Sequence, residues 1–270
     1  MITNKKVWFF LSLCLLCVAV FKGRDALSAL EAGAFLFSAD KKEQLLDLAY
    51  DRNPKKGYTV YLKEGSEYVP YLVVSSNYGG NVLLLRRELL ETMMPFNKNE
   101  RHMWARSQYG AYYENSSIDQ YLNGEFISRF SQATQEAMVS SDITITDKAS
   151  IGVTGESTIE ISRKVFLLSL KELNGADSRA SVAEGKTLKF FDDDYKRRVA
   201  YLPNQEANPY WTRTPETWET SIVFTIGPKA TGAGGADIHS GVRPAFCLEG
   251  STVYKQRSDI ISGQTVFVIE

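Results

Sequence analysis

The chain is predicted to fold as an α+β domain in which short antiparallel strands carry a few short helices and long irregular loops. Three observations predict it. Short runs rich in Tyr, Val, Leu and Ile recur between turns bearing Gly, Pro or Asn. Helical periodicity is confined to brief stretches with recognisable caps. The length of 270 residues, with 44% apolar and 12% aromatic content, is ample for a real core in one large or two small domains.

The N-terminal residues carry a different signal. In MITNKKVWFFLSLCLLCVAVF, Lys5 and Lys6 precede an uninterrupted apolar run from Val7 to Phe21, the layout of a secretory n-region and h-region. The run falls short of the roughly 20 residues a membrane-crossing helix needs, which favours a signal peptide over a permanent span. Lys22, Arg24 and Asp25 nevertheless separate it from the small residues Ser28 and Ala29, so an uncleaved anchor stays open. Cys14 and Cys17 lie inside the run without the small residue that should precede a lipid-modified cysteine. Residues 1–29 therefore read as a signal peptide or N-terminal membrane anchor, with membrane association through residues 7–21 only. The expected location is secreted or anchored to the outer face of the cytoplasmic membrane.

Residues 30–57 read as a helical stalk or linker, with Asp40 and Glu43 spaced like a capping box before Leu45, Leu46 and Ala49, and with Asn53–Gly57 breaking the pattern. Residues 58–270 read as a single α+β domain. Tyr58–Leu62 and Tyr68–Ser75, separated by a charged turn containing Gly65, predict a β-hairpin, and NVLLL after Asn77–Asn81 predicts a third strand. The segment around His102, from Asn97 to Ser117, lacks a period and reads as an irregular loop. Ser117 is placed to cap a helix carrying Ile118, Tyr121, Leu122 and Phe126, and Ser131 to start a second. Strand-like Met138–Ile145 follows, then a loop over Ile151–Ile161, a strand over Lys164–Leu168, and a short capped helix marked by Ser169, Glu172 and Gly175.

The organising stretch is Asn208–Glu249, which concentrates Trp211, Trp218, Pro215, Pro244, Arg213 and Arg243. SIVFTIGP, the glycine-rich segment from Gly227 to Gly241, and GVRPAFCL read as strand, flexible loop and returning strand. Pro244 cannot donate to a ladder, so its strand should lie at an edge, start a new pairing or carry a bulge. The last strand is expected at Thr265–Ile269.

WTRTP (211–215) followed by GVRPAFCL (241–248) resembles an uncharacterised domain family of bacterial extracytoplasmic proteins, in which W-x-R-[ST]-P precedes G-V-R-P-A-F. The resemblance continues upstream in VPYLVVSSNYGGNVLLLRRELL, YYENSSIDQYLNGEFISRFS and SRKVFLLSLKEL, and so covers most of the chain from about Tyr58. It implies an extracytoplasmic setting and no particular activity. The C-terminal strand is also similar to the end of the C-type-lectin-like and formylglycine-generating-enzyme folds, which implies a rigid scaffold beneath long loops. It does not carry the enzyme's cysteine chemistry across, because Cys247 is the one candidate and lies within the strand. Nor does it carry calcium-dependent sugar binding, since neither Glu-Pro-Asn nor Trp-Asn-Asp occurs.

The balance of 31 basic against 32 acidic residues lacks the electrostatic footprint of a general nucleic-acid binder. Asp192, Asp193 and Asp194 are adjacent, and adjacent side chains on an extended chain diverge, so a solvated loop is favoured over a cation site. With His102 and His239 the only histidines, a zinc site would have to join His239 and Asp237 to a remote ligand. TGAGG has no helix or Lys-Ser/Thr pair after it to make a phosphate cradle. No cofactor is expected. Arg213 and Arg243 are read foremost as structural forks on carbonyls or a buried carboxylate. Trp211, Trp218, Tyr210 and Tyr113 admit two readings, core packing or a stacking platform for a sugar ring.

These residues predict an exported or cell-surface binding domain whose loops recognise a glycan, protein or envelope ligand. The candidate ligand-binding set is Trp211, Arg213, Trp218, Asp237, His239 and Arg243, with no catalytic and no metal residues assigned. A cell-envelope hydrolase or modifying enzyme, and a structural domain of a surface assembly, are the alternatives.

Overall fold

Hairpin chemistry builds the first three strands. In β1 (Thr59–Glu64) and β2 (Glu67–Tyr78), side chains on one face are buried, and Gly65–Ser66 closes the turn so that Glu64 pairs with Glu67. Gly79 and Gly80, at φ 58° and 88°, close β2 onto β3 (Asn81–Arg86) with Tyr78 opposite Asn81. A type I′ turn requires two successive residues of that hand, and glycine meets the requirement without a Cβ clash.

The computed structural model describes residues 43–55, 57–98, 110–152, 156–175 and 183–270. The signal-peptide or anchor segment, residues 30–42 of the expected stalk and His102 lie outside them. No helix among the described residues is long and apolar enough to cross a membrane. Glu43–Glu270 form one compact unit, so the domain starts earlier than Tyr58. Leu45–Leu48 is a 3-10 turn with Leu45, Leu48 and Ala49 buried, and the Tyr50 amide donates to the Val73 carbonyl at 2.9 Å. Apolar spacing that reads as a stalk is here the edge of the core.

Of the short helices, α1 (Ser117–Tyr121) is capped by Ser116 rather than Ser117, since Ser116 keeps an extended backbone and accepts from the Asp119 amide. A π turn, Leu122–Phe126, and a 3-10 turn, Ile127–Arg129, continue it, burying Ile118, Leu122 and Phe126. Ser131 caps α2 (Gln132–Ala137), as its sequence predicts. The chain then runs through β5 (Met138–Val139) and β6 (Ser141–Thr146). The expected loop over Ile151–Ile161 instead contributes β7 (Thr158–Arg163), which pairs with β6 in full register from Ser141–Arg163 to Thr146–Thr158. After β8 (Val165–Phe166), Ser169 and Glu172 form a reciprocal capping box: each backbone amide donates to the other's side chain, at 2.9 and 3.0 Å. The result is a single turn, not a helix. Lys189–Asp192 forms α3.

The organising stretch folds differently from a two-strand ribbon with a loop. β9 (Tyr210–Pro215), β10 (Ile222–Ile226) and β11 (Thr231–Gly235) form their own antiparallel sheet, so the TGAGG segment is itself a strand. A Cβ on Gly234 would lie 2.6 Å from the Ile238 side chain and 3.7 Å from Trp211, so glycine here makes room. The returning strand β13 (Ala245–Leu248) belongs to another sheet, flanked by β3 on one side and by β5 and β8 on the other. Pro244 precedes it, which is how a proline-led strand comes to be central. With β14 (Lys255–Ile261) and β15 (Gln264–Val268), that eight-stranded sheet runs β14–β15–β1–β2–β3–β13–β5, with β8 beside β13. Among the described residues, the one parallel pairing in it is β1 with β15. A minor pair joins β4 (Met94–Pro95) to β12 (His239–Ser240).

Candidate functional site, an aromatic groove over the first hairpin

Strand alternation gives β1 and β2 two faces. Val60, Leu62, Val69 and Tyr71 point into the core, whereas Thr59, Tyr61, Tyr68 and Pro70 are only partly covered and form the floor of a groove of about 1040 Å³. Ile260 and Ile261 of β14 line it, as do Phe190 of α3, Arg197, and the loop bearing Tyr201 and Gln205. Tyr201 is 44% exposed, and its carbonyl accepts from the Leu89 amide at 2.9 Å, which fixes the loop beside the end of β3. Tyr68 is held by Arg257, which lies over its ring at 5.8 Å and donates to its hydroxyl at 3.3 Å. Arg197 stacks over Tyr50 and Phe190 at 4.4 and 5.1 Å.

A row of side chains crosses this floor. Tyr61 lies opposite Pro70, and the Tyr71–Arg86 register puts Arg87 opposite Pro70 on its other side, where the Arg87 amide donates to the Pro70 carbonyl at 3.0 Å. A hydrogen-bonded antiparallel pair normally exchanges two such bonds. Proline has no donor for the second, and the Arg87 carbonyl accepts from Arg243 Nη2 at 3.3 Å instead. The same substitution recurs next door. The Arg86 amide donates to Pro244, which cannot reciprocate, and the Arg86 carbonyl accepts from Arg243 Nε at 3.0 Å. Arg243 thus replaces the missing donors of two prolines, while its ring neighbour Tyr210 donates to the Arg198 carbonyl at 2.7 Å.

Arg213 is the centre of a second buried network. It is fully buried, and its fork meets Glu172 at 2.8 and 2.9 Å while also donating to the Leu167 and Thr144 carbonyls. Tyr78 donates to Glu172 at 2.7 Å. Nearby Glu184, also fully buried, accepts from the amide and hydroxyl of Thr146 and from the hydroxyl of Thr214. Burial raises its pKa from the ordinary 4.5 despite the opposing field of Arg213 and those hydrogen bonds. A carboxyl that binds its proton more tightly folded than unfolded makes stability fall as pH rises, from about 4.5 through its raised folded value. Glu184→Gln should therefore flatten that part of the pH–stability curve and match or exceed the parent's stability at pH 8. Urea unfolding from pH 5 to pH 8 checks this, and an unchanged slope would refute it.

The candidate set from sequence does not assemble. Trp211, Arg213 and Arg243 are buried; Trp211 packs against Phe96 at 5.8 Å and donates to the Met94 carbonyl at 2.8 Å. Tyr113 and Tyr210, the other members of the proposed stacking platform, are buried too. Trp218 is 55% exposed, and Asp237 and His239 are exposed, but none of the three lines the groove. Arg243 is the member of the set that does line the groove, as a nearly buried side chain at its floor. Cys247 is buried, and that burial pushes its thiol up to about 12. Asp193 accepts from Tyr50 and Asp194 caps the following 3-10 turn, so the acidic run is divided among structural roles. Among the described residues no three His, Cys, Asp or Glu side chains are grouped to hold a metal ion.

Sequence reasoning registered Tyr61, Tyr68 and Arg87 only as strand and near-strand residues. Their period-2 alternation with Val60, Leu62 and Val69 signals a second face, but what borders that face comes from residues more than a hundred positions away. A model of the family described as "Domain of unknown function (DUF6273)" matches residues 79–250. No curated protein and no solved structure matches the chain.

Proposed function

The chain belongs to the DUF6273 family, and we propose that it is an exported or cell-surface binding domain that holds a sugar chain in the groove over β1 and β2. The observation that carries this is the concentration of Tyr58, Tyr61, Tyr68 and Tyr201 along one open groove. Aromatic faces take up the apolar faces of sugar rings, and a few polar groups fix orientation. The apolar run of residues 7–21 supports export and an extracytoplasmic setting. The similarity of the GVRPAFCL strand to the C-type-lectin-like fold supports a rigid scaffold of that kind, with function carried beside the sheet rather than within it.

The test is calorimetry of the full chain against oligosaccharides, with calcium and with chelator. Tyr61→Ala and Tyr201→Ala should each weaken binding roughly three- to tenfold with unchanged melting temperature, and Trp218→Ala should leave it unaltered. Binding that responds to Trp218→Ala and not to the tyrosines would move the site to the β9–β10 loop. Sugar release in the same incubation would favour the hydrolase reading.

A further inference from the structure

Resting on the sugar-binding reading of the same groove, we propose that its ligand is an acidic glycan, a chain bearing carboxylate or phosphodiester groups, and that Arg87 is the residue that selects it. Tyr61, Pro70 and Arg87 are consecutive across three strands on one face. Neighbouring strands are about 4.8 Å apart, which puts the Arg87 backbone roughly 10 Å from that of Tyr61. A ring stacked on Tyr61 and Pro70 therefore presents a substituent toward Arg87.

Arg87 is exposed and lines the groove, and its guanidinium has no hydrogen-bond or ion-pair partner among the described residues. Its neighbours are all engaged. Arg86, one residue earlier and on the core face, pairs with Glu64 and Glu91, and Arg257 pairs with Asp259 and Glu270. Arg197 has Asp194 at 3.8 Å. Arg243, nearly buried in the groove floor, bonds to carbonyls and has no carboxylate within salt-bridge distance among the described residues, so its charge adds to the positive field there. Two carboxylates, Glu67 and Glu88, also line the groove. Selectivity thus comes from where the free fork stands, not from net charge. A guanidinium matches carboxylate and phosphate oxygens in a bidentate manner that a hydroxyl does not reproduce.

The experiment uses the full chain and its Arg87→Gln and Glu88→Gln variants. The probes are oligogalacturonate, oligosialate and glycerol-phosphate oligomers, alongside methyl-esterified oligogalacturonate and neutral cello- and xylo-oligosaccharides. The expected result is preference for an acidic probe. Arg87→Gln should weaken that binding about tenfold or more and abolish most of its salt dependence, without changing the melting temperature or any weak binding of neutral probes. Glu88→Gln should not weaken it. Galacturonate and glycerol-phosphate arms distinguish a carboxylate from a phosphodiester ligand. Neutral probes binding as well as acidic ones, or acidic binding indifferent to Arg87→Gln, would overturn the selectivity while leaving the sugar-binding groove standing. No binding to any probe would overturn both.

Discussion

Replacing Arg213 by alanine is expected to destabilise the domain by about 3–5 kcal/mol, the range for breaking a buried ion pair by removing one partner. The reason lies in what remains. Glu172 would keep Tyr78 and the Ser169 amide but lose both arms of the guanidinium, and Glu184 would lose the cation whose field opposes its elevated pKa. Two carboxyls would then share a dry region with no positive charge bonded to either. The carbonyls of Leu167 and Thr144 would each lose a charged donor as well. For a domain of this size each kcal/mol moves the melting temperature about 2–4 °C, so a fall on the order of 10 °C is expected. Removing both charges with Arg213→Met and Glu172→Met should cost less than the sum of the single changes, since no orphaned charge is left. Chemical denaturation of the three variants measures this. An Arg213→Ala midpoint close to that of the parent would show that water or rearrangement satisfies the carboxyls.

The second large effect is expected at Arg243. Alanine there strands the carbonyls of Arg86 and Arg87, whose natural strand partners are Pro244 and Pro70, and removes contacts to Arg198 and Tyr210. Each orphaned buried carbonyl costs about 1–3 kcal/mol, and a total of about 2–4 kcal/mol follows once partial solvation from the groove is allowed for. Lysine should recover only part of it, because a single ammonium does not span the positions that a planar fork reaches. The distinctive outcome is coupling. Pro70→Ala returns an N–H on the side of β2 that faces the Arg87 carbonyl, so Pro70→Ala should offset part of the loss in an Arg243→Ala background while doing little for the parent. Strict additivity of the two changes would refute the role assigned to Arg243.

Both arginines were recognisable in the sequence as structural forks, because forked cations beside prolines in apolar strands have few solvated alternatives. Their partners were not recognisable. Glu172 reads locally as a capping-box residue, which it is, and its second oxygen contact with a residue 41 positions away has no local signature. The candidate binding set is dispersed in the fold for a related reason: aromatic and charged residues concentrated in Asn208–Glu249 signal importance without signalling direction. Trp211 and Arg213 spend that chemistry inside the core and Arg243 at the buried floor of the groove, while the exposed aromatic lining draws on ordinary alternating strand residues.

Features that act over a few residues are legible in the chain alone. The Gly65 and Gly79–Gly80 turns, the Ser131 cap, the Ser169–Glu172 box and the α+β character follow from backbone conformational preference and side-chain periodicity, which need no distant partner. Long-range packing sets the rest: β13 leaves its sequence neighbours to pair with β3, β5 and β8, TGAGG is a strand, Leu45, Leu48, Ala49 and Tyr50 join the core, and one face of the first hairpin is walled into a groove. Those outcomes depend on which apolar surfaces cover each other and on which donor reaches a carbonyl that a proline cannot serve. Both are set by the sum of contacts over the whole domain.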